Sequence, residues 1–153
     1  MPMKSDLLRI DNIAIVVEKL EAAKAFFIEL GMELEGQTTV EGTWVDQVIG
    51  LKNASSEIAM MRTPNGQSRI ELTKFNKPKA SSAEAHLVAV NTPGNHRIMF
   101  AVSNINEVIE RLKKHGATVV DQVVQYKNSY LLCYLRGPEG IIIALAEDIT
   151  QQQ

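Results

Sequence analysis

Arg97 follows His96 at the head of an alternating apolar run, His96-Arg97-Ile98-Met99-Phe100-Ala101-Val102. The two residues offer different chemistry. An imidazole ligates a metal or shuttles a proton near neutral pH, whereas a guanidinium stays charged and can only donate hydrogen bonds to an oxyanion. In a strand, alternate side chains point to opposite faces. The bulky set Ile98, Phe100 and Val102 belongs against a packed layer, with His96 on the same parity. Arg97, Met99 and Ala101 then point the other way, into whatever concavity the strand lines. A slip of one residue would bring His96 inward only by turning the whole bulky set outward, so His96 reads as a partly solvated strand-end residue. His86 and His115 share no ligand spacing with it, and His115 ends a helical stretch, where its imidazole suits the helix dipole. Cys133, the single cysteine, sits inside Tyr-Leu-Leu-Cys-Tyr-Leu. It excludes an internal disulfide, reads as a buried and inert thiol, and fits a reducing cytosol.

The elements that position these residues occur twice. Shifting the sequence by 85 positions lays Asn12–Gly31 over Arg97–Gly116 without a gap, so that Asn12 meets Arg97, Ile13 meets Ile98, Ile15 meets Phe100, and Gly31 meets Gly116. Each copy is a short alternating strand followed by a helix. The apolar positions are Leu20, Ala23, Phe27 and Leu30 in the first helix, and Ile105, Val108, Ile109 and Leu112 in the second. Each helix stops at a glycine suited to a left-handed cap, and Asn104 or Asn106 suits the N-cap of the second. Further on, Arg62-Thr63-Pro64-Asn65-Gly66 and Arg136-Gly137-Pro138-Glu139-Gly140 form equivalent turns before a final strand. With Met32–Val40 and Ala117–Tyr126 as the strands after the helices, the pattern is β-α-β-β-β twice. Module one spans about 8–76, module two about 96–148, and the connector 77–95 is rich in small residues, Pro and Ser. A short helix carrying Trp44 is expected to interrupt module one, its indole read first as a core plug.

The chain has 153 residues, 45% of them apolar, enough for one domain with a real core. Sixteen basic and 18 acidic residues, spread without a basic stripe, argue against nucleic acid. No apolar run is long enough to span a bilayer and the first residues do not resemble a signal peptide. A soluble cytoplasmic protein with no membrane partner is expected.

The ordered set Ile10–Val17 with its helix, Ile70–Phe75, His96–Ile105 with its helix, and Gly137–Glu147 resembles the vicinal oxygen chelate superfamily, the glyoxalase, bleomycin resistance and extradiol dioxygenase fold. That resemblance implies an α+β fold: two tandem β-α-β-β-β modules forming a cup-shaped mixed sheet, helices outside, the site inside, and a homodimer. Catalytic relatives hold a divalent metal at four positions, which fall here at Asn12, Glu71, Arg97 and Ala144. Only Glu71 is a competent ligand, so the expectation is no metal cofactor and no typical glyoxalase I. The expected ligand is a small anionic or polar-aromatic molecule bound in the cup by Asn12, Glu71 and Arg97, with Trp44, Met60 and Tyr130 as contacts. A lyase or isomerase, in which Glu71 moves a proton and Arg97 stabilises an oxyanion, is the alternative. Glu71 and Arg97 simply pairing with each other also stays open.

Overall fold

The computed structural model describes residues 6–79 and 88–150; His86 lies outside the described residues. The chain forms two compact units. In the first, β1 (Ile13–Val16) is parallel to β4 (Arg69–Lys77), which pairs antiparallel with β3 (Ser55–Arg62), itself antiparallel to β2 (Glu33–Glu41). The second unit repeats the scheme. β5 (Ile98–Ala101) is parallel to β9 (Ile142–Asp148), β9 is antiparallel to β8 (Tyr130–Arg136), and β8 pairs with β6 (Thr118–Val119) and β7 (Val124–Tyr126). The strand orders β1-β4-β3-β2 and β5-β9-β8-β6 are therefore equivalent. The equivalence reaches single hydrogen bonds: Val17 N–H donates to Thr73 O, and Val102 N–H donates to Ala146 O, both at 2.9 Å. The fold is α+β with two open sheets, as the duplicated pattern predicts.

Among the described residues three α-helices accompany the sheets: α1 (Leu20–Leu30), α2 (Thr43–Ile49) and α3 (Ile105–Lys113). The apolar stripe read for α3 is buried at all four positions, and that of α1 is buried together with Phe26. Asn104 caps α3, its side chain accepting from Glu107 N at 3.1 Å. The buried carboxylate of Glu147 accepts a further first-turn donor, Ile105 N, at 2.7 Å. Gly31 and Gly116 take positive φ beyond the two long helices, as expected of glycine there.

Three expectations change. α1, encoded in module one, packs within the second unit. There Phe27 lies 6.4 Å from the Phe100 ring, and the Glu29 carboxylate lies 3.9 Å from the Arg111 guanidinium of α3 and 3.6 Å from the imidazole of His115, just past that helix. Its amphipathic pattern demands an apolar partner without specifying which sheet provides it. The single strand read over Ala117–Tyr126 is two short ones, β6 and β7, separated by residues 120–123. Finally, Trp44 is no core plug. Its side chain is 62% exposed, and the buried residue of the seven-residue α2 is Val45. Among the described residues no helix is long and apolar enough to cross a membrane.

Candidate functional site

The side of the second sheet that carries chemistry follows from its register. Ile98, Ile143, Leu145, Cys133 and Leu135 share one face, and Phe100 joins them against Phe27. Of these, Ile143, Leu145, Leu135 and Cys133 are buried in the unit's core, and Ile98 and Phe100 are partly buried at its edge. The opposite face carries Met99, Ala144 and Tyr134 in one row across β5, β9 and β8, and Ala101, Ala146 and Leu132 in the next. Arg97 belongs to this second face: its Nη1 donates to the Tyr134 phenol oxygen at 2.5 Å, and its guanidinium carbon lies 4.9 Å from that ring's centroid. One side chain thus supplies both a π face and an acceptor for the same cation. His96 is exposed just before β5.

Tyr134 is the functional candidate that sequence reading missed. Its signal was present in Tyr130-Leu131-Leu132-Cys133-Tyr134-Leu135, where alternation puts both tyrosines opposite to the buried Cys133. Tyr130, expected with Trp44 to contact the ligand, shares Tyr134's face four residues away and is itself paired across to Tyr126 of β7. Burial in the core raises the Cys133 thiol above its ordinary range, a hydrogen bond with the Leu145 backbone opposing this in part.

In the first unit Glu71 is cross-strand partner to both Ala14 and Met60, so Met60 and Glu71 share a face, and Asn12 precedes Ala14 on the same parity. Glu71 and Arg97 each find a partner inside their own unit. The Thr73 hydroxyl donates to Glu71 Oε2 at 2.7 Å, and Arg97 rests on Tyr134. The Asn12 amide instead donates to neighbouring Asp11, at 3.0 Å. Trp44 stands apart on α2, exposed.

The profile of the Glyoxalase/Bleomycin resistance protein/Dioxygenase superfamily matches residues 11–134. The chain belongs to that superfamily. A glyoxalase family protein from Bacillus cereus is 51% identical to this member, the match covering 97% of this chain and 99% of that one with a TM-score of 0.91. A glyoxalase/dioxygenase from Nostoc punctiforme has 18% identity, covers 96% of this chain and 99% of its own, and has a TM-score of 0.62. TnmS3, an antibiotic binding protein from a Streptomyces species, has 15% identity, 95% and 99% coverage and a TM-score of 0.61. These last two share the fold. Among curated proteins, none matches in sequence.

The superfamily's fold implies a divalent metal, and the donor chemistry at the four corresponding positions does not suit one. Asn12 brings an amide, Glu71 one carboxylate, Arg97 a permanent cation and Ala144 a methyl group. Among the described residues no three His, Cys, Asp or Glu side chains gather in a cluster able to hold a metal ion.

Proposed function

We propose that this superfamily member binds a small anionic or polar-aromatic molecule on the Arg97 face of the second sheet, without a divalent metal. The observation that carries the reading is the seating of the Arg97 guanidinium on Tyr134, beside Ala144. A fixed positive charge with directed donors stands where the metal-binding relatives would place a ligand, and the neighbouring last-strand position is a methyl group. Such a group recognises a carboxylate, phosphate or enolate oxygen by charge-assisted hydrogen bonds. Binding without chemistry is in keeping with the name of TnmS3, an antibiotic binding protein of the same fold.

The test is metal quantification on the purified protein followed by calorimetric titration with benzoate and inorganic phosphate. Metal below stoichiometry and anion binding weakened ~10- to 100-fold in Arg97→Ala are expected, the loss appropriate to hydrogen bonds on a charged group. Stoichiometric zinc, nickel, manganese or iron would overturn the metal-free part. Equal affinity in Arg97→Ala would overturn the anion part. The lyase or isomerase alternative gains ground if a candidate substrate turns over and Glu71→Gln abolishes turnover while retaining affinity.

A further inference from the structure

We propose that the Arg97 face of the second sheet takes an elongated aromatic acid, its carboxylate on Arg97 and its ring system lying along β8 and β9 towards Tyr130 and Tyr126. The proposal rests on the reading of Arg97 as an anion anchor and specifies what else the anion must carry.

The chain's three tyrosines all lie on this face. Tyr134 and Tyr130 are four residues apart on β8, about 13 Å at strand spacing, and Tyr126 is Tyr130's direct cross-strand partner. A tyrosine contributes packing energy in proportion to the ring surface it buries. Here Tyr126 and Tyr130 remain 47% and 42% exposed, and Met99 and Val124 on the same face are half exposed. Among the described residues neither of these two rings is packed against another aromatic; the one partner Tyr126 has is the Lys127 ammonium, 5.3 Å from its centroid.

The floor between these side chains is small. On this face β9 presents Ile142, Ala144 and Ala146, flanked by Met99 and Ala101 on β5 and by Tyr134 and Leu132 on β8; Ala144 is fully covered and Ala146 is partly open. On its core face the same strand presents Ile143 and Leu145. The room for a flat body therefore lies over Ala146 and Leu132, between Tyr134 and Tyr130.

Charge gives the track a direction. At one end Arg97 and Arg136 bring two guanidiniums, the latter donating to the carbonyls of Gly140 and Val88. At the other end Asp148 is the register partner of Tyr130, with its carboxylate accepting from Thr150 N and Oγ1. Lys127 offsets it there. The two guanidiniums favour an anion at the Arg97 end, so an acid with its ring trailing away from them matches the track, whereas the reverse orientation places a carboxylate beside Asp148.

Calorimetric titration with biphenyl-4-carboxylate, benzoate and biphenyl-4-carboxamide tests this. Biphenyl-4-carboxylate should bind about tenfold more tightly than benzoate, the worth of one well-placed aromatic contact, and the carboxamide more weakly than the acid. Tyr130→Ala should remove the two-ring advantage and leave benzoate unchanged, Tyr130→Phe should keep it, and Arg97→Ala should weaken both acids. Equal binding of benzoate and biphenyl-4-carboxylate to the wild type would overturn this inference and leave the anion site standing. Acids that do not bind, or bind equally to Arg97→Ala, would remove the underlying site itself. If sedimentation shows that Tyr130→Ala abolishes self-association while biphenyl-4-carboxylate binding is unchanged, the tyrosine face is a contact between copies of the chain and the inference fails.

Discussion

Replacing Gly137 by alanine would place a Cβ 2.8 Å from Cζ of Phe26 and 3.1 and 3.2 Å from its two Cε atoms. Gly137 has φ −100°, so alanine brings no backbone strain, and the whole effect comes from overlap. Phe26 cannot yield cheaply. It is fully buried and stands edge-on to Phe27 with centroids 5.1 Å apart, and Phe27 in turn meets Phe100. Overpacking a dense core in this way costs about 1–3 kcal/mol, or roughly 2–4 °C in Tm per kcal/mol at this chain length. Phe26→Leu shortens the offending side chain and costs less than the ~3–5 kcal/mol of a full truncation to alanine. The informative quantity is the coupling between the two. Measured by urea denaturation as a double-mutant cycle, Gly137→Ala in the Phe26→Leu background should lose nearly all of its cost, a coupling of about 1 kcal/mol or more. Additivity within about 0.5 kcal/mol would refute the reasoning, because it would mean that α1 does not reach the turn before β9, and that its membership of the second unit is wrong.

Four other side chains give further tests. Asn104→Ala should cost about 1 kcal/mol through loss of the α3 cap, and Glu147→Ala about 1–3 kcal/mol, since it leaves the buried Ile105 N–H without its acceptor; Glu147→Gln, which keeps an acceptor oxygen, should recover most of that in the same denaturation assay. Cys133 should resist thiol-specific labelling in the native protein and react at once in denaturant. Because burial raises the folded thiol above the 9.0 of the free group, its contribution to stability is complete below pH ~9 and is lost as pH rises through the folded value; Cys133→Ala should flatten that alkaline loss in a series of melts. Trp44→Ala should change stability by no more than about 0.5 kcal/mol, and the indole should be freely quenched by acrylamide, whereas a cost above about 2 kcal/mol would show it packed in the folded protein.

What could be read from the residues and what could not divide along physical lines. The parity of Arg97 was legible because Ile98, Phe100 and Val102 alternate cleanly, and a side-chain period of two leaves no intermediate solution. The duplicated strand order was legible because the Pro-x-Gly turns and glycine stops recur at matching places. The exposure of Trp44 was not: α2 has seven residues, too few for a helical period to separate its faces, and the tight pair of glycines at 42 and 50 fixes its ends without reporting which side turns inward. The split between β6 and β7 was hidden because Thr118-Val119-Val120 and Val123-Val124-Gln125 carry the same strand-forming character on either side of Asp121-Gln122, and only pairing with β8 decides which residues enter the ladder. Tyr134 was overlooked for a different reason. Its position was encoded, but its importance arises only where Arg97 meets it, and a contact between residues 37 apart in sequence has no local signature. The placement of α1 is the extreme case. Leu20, Ala23, Phe26, Phe27 and Leu30 define an apolar stripe that either sheet could satisfy, and periodicity is indifferent to the choice. One contact that periodicity cannot report is specific to the second unit: Phe26 fills the space that the missing Cβ of Gly137 leaves open. The coupling of Gly137 to Phe26 therefore also bears on why one of two similar turns carries glycine immediately after its arginine while the other carries Thr63.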